Sequence, residues 1–118
     1  MATVLLVEDN DDVREMMALA LQLGGHEVWP ARHGKEALAL LHERHRPSLI
    51  LTDLMMPVMN GWELRAALQQ DPALQDIPVV VITALAADAA QRLPGTGYLP
   101  KPVDIDRLLA TVCEYCHE

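Results

Sequence analysis

The sequence predicts an α/β domain: a parallel sheet with helices on both faces. Short apolar runs alternate with amphipathic stretches, β then α, five times along the chain. Runs rich in Val, Ile and Leu suit strands covered on both faces, and regular βα alternation implies a parallel sheet. Size agrees, since 118 residues of which 51% are hydrophobic fit one domain. Such a domain can bury a real core without disulfide or metal staples.

The elements follow in order. Val4–Val7 reads as the first strand. Val13, Met16, Met17, Ala20 and Leu21 stand at i, i+3, i+4, i+7 and i+8, one face of a helix, and Gly24-Gly25 stops it. Val28-Trp29-Pro30-Ala31 is a weaker strand, and Pro30 suits an edge position. Ala37, Leu38 and Leu41 mark a second helix that ends before Pro47. Leu49–Leu51 forms the third strand. Leu64, Ala67 and Leu68 mark a third helix closed by Asp71-Pro72, and Val79–Ile82 is the fourth strand. Ala86, Ala89, Ala90 and Leu93 give a short fourth helix before Pro94-Gly95. Tyr98-Leu99 is a very short fifth strand. Ile105, Leu108, Leu109, Val112, Cys113 and Cys116 form the stripe of the last helix, with Asp104 as its cap.

Composition excludes several roles. The longest apolar run is six residues, Met16 to Leu21, against about 20 for a membrane span. The N-terminus lacks a secretory pattern, and the two cysteines fit a reducing, cytoplasmic setting. A net charge of −8, without a basic cluster, and aromatics of only 3% argue against direct nucleic-acid binding.

In such sheets ligands sit beyond the carboxyl ends of the strands. There the first strand ends at Glu8-Asp9, the third at Asp53 and the fourth at Thr83, while Lys101 follows the fifth. Individually these residues have ordinary uses. Asp9, Asn10 or Asp11 would cap the first helix, Thr83 is a good strand residue, and a lone lysine is usually solvated. Together they place three carboxylates, a hydroxyl and an ammonium on one rim. Two like charges about 4 Å apart repel by roughly 4 kcal/mol at an effective dielectric near 20, so the carboxylates call for a cation. Carboxylate and carbonyl oxygens suit Mg²⁺, and a carboxylate beside it can attack a phosphoryl group.

The chain resembles the receiver domain of bacterial two-component response regulators over essentially its whole length, residues 1–118 as a single domain. Four motifs carry the resemblance: Val4-Leu5-Leu6-Val7-Glu8-Asp9-Asn10, Leu51-Thr52-Asp53-Leu54-Met55-Met56-Pro57-Val58-Met59-Asn60-Gly61, Val80-Val81-Ile82-Thr83-Ala84 and Tyr98-Leu99-Pro100-Lys101-Pro102. The resemblance implies a flavodoxin-like (βα)5 three-layer sandwich with strand order 2-1-3-4-5. It implies that Asp53 accepts a phosphoryl group from a phosphohistidine on a sensor histidine kinase or a histidine phosphotransfer protein. Glu8, Asp9, Asp53 and the backbone carbonyl of Met55 would hold Mg²⁺ (or Mn²⁺), Glu8 directly or through water. Lys101 would pair with the phosphoryl oxygens, Thr83 would hydrogen-bond them, and Tyr98 would move inward behind Thr83. A cis peptide between Lys101 and Pro102 and a sharp return at Gly61 are also implied.

One departure stands out. Only 18 positions separate Thr83 from Lys101, fewer than the family usually has, so the fourth helix is expected to be short or irregular. The output face formed by the fourth helix, fifth strand and fifth helix is correspondingly expected to differ from the usual one.

The remaining motifs have simpler readings. Cys113-Glu114-Tyr115-Cys116-His117 matches a haem attachment pattern, but the two cysteines fall on the stripe of the last helix and read as half-buried packing residues. His42 and His45 lack a third metal ligand, and His26 and His33 read as surface residues. Trp62 is expected to pack at the start of the third helix. Met55 and Leu85 would border the route of a hydrolytic water and slow dephosphorylation.

The leading reading is a self-phosphorylating and self-dephosphorylating switch, not a turnover enzyme. An aspartate-nucleophile phosphatase would need a second acid where Met55 stands, and a flavin phosphate would be repelled by Glu8-Asp9-Asn10-Asp11-Asp12. A phosphate-independent interaction domain on the same scaffold is the alternative. A stand-alone receiver and a domain excised from a larger regulator or hybrid kinase both fit. So do a monomer and a weak homodimer, and the downstream protein or output domain is left open.

Overall fold

The computed structural model describes residues 3–44, 46–53, 59, 61–83, 97–100 and 103–116, with the backbone alone of Gly61, Tyr98, Pro100 and Cys116. Its strands are β1 (Thr3–Val7), β2 (Glu27–Ala31), β3 (Leu49–Asp53), β4 (Val79–Thr83) and β5 (Gly97–Pro100). The helices are α1 (Asp11–Leu23), α2 (Gly34–Glu43), α3 (Gly61–Gln69) and the last helix, α4 (Ile105–Cys116). All strand pairs are parallel, in the order β2-β1-β3-β4-β5, as the resemblance implied. The helix expected within residues 85–97 falls outside the described residues, except that Gly97 belongs to β5.

Side chains alternate across the pleat, and this builds two cores. Leu5, Val7, Ile50, Val79 and Val81 face Ala37 and Leu41 of α2 and Leu64 and Leu68 of α3. Val4, Leu6, Leu49, Leu51, Val80 and Ile82 face Met17 and Leu21 of α1 and Leu108 and Val112 of α4. Burial on both faces is why β1, β3 and β4 read as continuous apolar runs. β2 pairs only with β1, so Pro30, which has no N–H to donate, sits in an edge strand without cost to a second ladder.

Four helix ends have a chemical reason. The Asn10 side chain accepts from the Val13 N–H at 3.0 Å and caps α1. Gly25, at φ 89°, carries the chain away in a conformation that costs other residues strain. The Asp104 carboxylate accepts from the N–H groups of Asp106 and Arg107 at 2.9 and 3.3 Å. At α2 the cap is His33, whose Nδ1 accepts from the Glu36 N–H at 3.2 Å.

Two helix-face expectations are corrected. Met16 lies at the margin of the α1 stripe and is 44% exposed. Cys113 is exposed, not half-buried. The buried line of α4 runs through Leu108 and Val112, and the residue after Val112 is turned about 100° towards solvent. His26 and His33 are half-buried, the latter because it caps α2, whereas His42 is exposed as expected. Met16, Leu19 and Leu23 line an open apolar groove of about 430 Å³ with Ile105 and Leu109.

Candidate functional site

Register brings the site together. Val7 pairs with Thr52, Asp53 with Ile82, and Thr83 with Pro100. The carboxyl ends of β1, β3, β4 and β5 therefore lie along one rim, with Glu8 and Asp9 just past β1. Asp53 is the last residue of β3 and 4% exposed, and Thr83 is the last of β4 and 2% exposed. Glu8 is fully buried and Asp9 is exposed.

Glu8, Asp9 and Asp53 each bring an oxygen to within 4.8 Å of the others. Three hard oxygen donors, two of them buried, fit a small divalent cation such as Mg²⁺. Glu8 is fixed at several atoms. Its N–H donates to the Ala31 carbonyl at 3.0 Å, continuing the β1–β2 ladder. Its Oε2 accepts from the Asn10 N–H at 3.1 Å, and its carbonyl accepts from Arg14 Nη1 at 2.9 Å. Arg14 also pairs with Asp11 through its other guanidinium nitrogen. At the end of β3, the buried Thr52 hydroxyl donates to the Asp53 carbonyl at 3.0 Å.

Of the residues expected at the site, the structure gathers Glu8, Asp9 and Asp53 and puts Thr83 on the same rim. It places the Tyr98 backbone in β5 beside Val81. Met55, Lys101 and Pro102 fall outside the described residues, as do Leu85, His45 and His117. Gly61 opens α3, and Trp62 packs half-buried against the α2–α3 core, as expected. Sequence reading missed Arg14 as a brace for the Glu8 backbone. Its place on the inner side of the first turn of α1, six residues past Glu8, is the only trace it leaves in the sequence. It also missed the approach of α2 to Met59, where the Gly34 N–H donates to the Met59 carbonyl at 3.3 Å.

A doubly covered parallel sheet with three carboxylates gathered at its carboxyl rim defines an α/β module with an acidic pocket suited to a cation. The response regulator receiver domain family matches residues 4–113, and the chain belongs to that family. Among its relatives is the polar-differentiation response regulator DivK of Brucella anthropi. It is 34% identical over 117 residues, covering 96% of this chain and 94% of that protein. The chemotaxis response regulator CheY4 of Vibrio cholerae superposes with a TM-score of 0.88 at 34% identity, covering 98% of both chains. A response regulator from Chloroflexus aurantiacus superposes with a TM-score of 0.90 at 29% identity, covering 99% of this chain and 98% of that one. Receivers are signalling switches, and they bind Mg²⁺ in an acidic pocket of the kind that Glu8, Asp9 and Asp53 form here.

Proposed function

We propose that residues 1–118 form a single receiver domain that takes a phosphoryl group on Asp53 from a phosphohistidine of a sensor histidine kinase or phosphotransfer protein. The observation that carries this reading is the convergence of Glu8, Asp9 and Asp53 within 4.8 Å at the carboxyl rim. An Asp53 carboxylate oxygen attacks phosphorus. The O–P bond forms as the P–N bond to the donor imidazole breaks, and the electron pair stays on that nitrogen, which takes up a proton. Glu8, Asp9, Asp53 and the Met55 carbonyl would hold Mg²⁺ or Mn²⁺. Bound there, the ion offsets the charge on the transferring oxygens.

Lys101 supplies a second cation to those oxygens. Thr83, at the end of β4, donates its hydroxyl to the phosphoryl group once it has arrived. Phosphate adds about −1.5 to −2 charges and three acceptors, and it shifts a two-state surface only through contacts that differ between the states. Thr83 and Lys101 supply that difference, and Tyr98, following inward behind Thr83, carries it to the face of the fourth helix, β5 and the last helix. Hydrolysis of the acyl phosphate resets the switch, so the domain does not turn over a substrate pool. It acts in the cytoplasm as a monomer or weak homodimer and hands its state to a downstream protein or output domain. No helix among the described residues is long and apolar enough to cross a membrane.

The test is intact-mass measurement after incubation with acetyl phosphate and Mg²⁺. One phosphoryl adduct is expected on the native chain, dependent on Mg²⁺ and absent from Asp53→Asn. No adduct from acetyl phosphate or phosphoramidate overturns the reading in favour of a phosphate-independent interaction domain.

A further inference from the structure

The N-terminus of α2 touches the chain that follows the acceptor aspartate. Gly34 is buried, and its N–H donates to the Met59 carbonyl at 3.3 Å. A Cβ on Gly34 would lie 2.6 Å from Met59 Cγ, 2.7 Å from Sδ and 2.9 Å from Cβ. These are the root and middle of the Met59 side chain, so no rotation about its outer bonds relieves the clash. Gly34 is not required by its own backbone, because Gly25 is the only glycine with positive φ among the described residues. It is required by the space that Met59 occupies.

The two sides of this contact differ in how firmly they are held. α2 is anchored by buried Ala37 and Leu41 in the α2–α3 core. Met59 is half-buried, six residues beyond Asp53 and two before α3 begins. Any strain at the contact therefore falls on the Met59 side. We propose that Gly34 is a positioning residue for the phosphoacceptor segment: its missing side chain seats Met59, and that seat fixes the far end of residues 54–60, whose near end Asp53 fixes in β3. This rests on the reading of Met55, four residues before Met59, as a carbonyl ligand. Gly34 touches neither metal nor phosphate, and it acts through Met59 alone.

The test compares the full chain with Gly34→Ala, Met59→Ala and the double variant. One readout is the Mg²⁺ dissociation constant by calorimetry. The other is amide exchange of residues 54–60 by mass spectrometry, which needs neither metal nor phosphate. Gly34→Ala is expected to weaken Mg²⁺ roughly tenfold, as loss of a ligand's supporting contact does, and to speed exchange in residues 54–60 while that of α2 stays unchanged. Met59→Ala weakens Mg²⁺ less than Gly34→Ala does, since it trims the seated side chain and adds no clash. The double variant loses less than the two single losses summed, because removing Met59 Cγ and Sδ relieves the two shortest clashes of a Cβ at position 34 and leaves only the one with Met59 Cβ at 2.9 Å. Native Mg²⁺ affinity and exchange in Gly34→Ala, additive losses in the double variant, or faster exchange in α2 instead would each overturn the proposal. If Gly34→Ala fails to fold, Met59→Ala decides, since it empties the seat of Met59 Cγ and Sδ without a clash and leaves the Gly34 N–H to Met59 carbonyl bond in place. If the native chain binds no Mg²⁺, the metal reading fails, and the exchange comparison still decides whether Gly34 positions the segment.

Discussion

At the residue scale, Asp9 is the acid to change. It is exposed while Glu8 and Asp53 are buried, so its replacement disturbs little packing. Without a cation, the three carboxylates repel one another. Asp9→Asn should therefore raise the melting temperature of the metal-free protein and shrink the further rise that Mg²⁺ gives. Melts with and without the ion check both signs. If the variant melts lower in the absence of metal, the repulsion argument is wrong. Thr83 has a separate proposed role at the same rim. Thr83→Ala should still take the phosphoryl group, as seen by mass, but lose the surface response to it, as seen by amide exchange over β5 and α4.

At the element scale, helix ends make the next measurable contributions. Removing the Asn10 cap from α1 with Asn10→Ala should cost about 1 kcal/mol in urea unfolding. It spares the Asn10 N–H to Glu8, which the backbone supplies. The start of α2 adds a pH dependence. Burial pushes the Glu36 carboxyl up, but the Arg32 backbone N–H and the Arg32 guanidinium outweigh it, so its pKa lies below the ordinary 4.5. A lowered folded pKa gives stability that is whole above 4.5 and fades as pH falls through the lowered value. Glu36→Gln should therefore be less stable than the native chain at neutral pH and indistinguishable from it in strong acid. A difference that persists in acid would mean that the contact acts by packing and not by charge.

At the scale of the whole molecule, the sheet and its two cores carry the stability, and Mg²⁺ held by Glu8, Asp9 and Asp53 is expected to add to it. Leu6 is fully buried in the α1–α4 core, and Leu6→Ala should cost about 2–5 kcal/mol. That is a large share of the 5–15 kcal/mol typical of a domain. Free Mg²⁺ at a hundred times its dissociation constant should stabilise the native chain by about 2.7 kcal/mol, or roughly 10 °C in Tm for a domain of this size. Chelation should remove that increment. A Tm indifferent to Mg²⁺ in the native chain would count against a metal among Glu8, Asp9 and Asp53.

The sequence by itself determined the order of the described elements and the residues that end the strands at the carboxyl rim. β1, β3 and β4 are unbroken apolar runs because both faces of a central parallel strand are buried, and burial of that kind can be read one residue at a time. Glu8, Asp9, Asp53 and Thr83 were legible because each ends such a run, and the ends of parallel strands share a rim. Helix stripes were legible to within one residue, which is why Met16 and Cys113, at the margins of theirs, were misjudged: a turn of 100° separates buried from exposed, and the periodicity alone does not say which edge the sheet covers. Only the tertiary structure decided the contacts between elements distant in sequence. Arg14 bracing the Glu8 backbone, His33 capping α2, and Gly34 making room for Met59 depend on how closely and at what angle two elements approach. Nothing in the local residue pattern encodes that distance; the packing of both cores sets it.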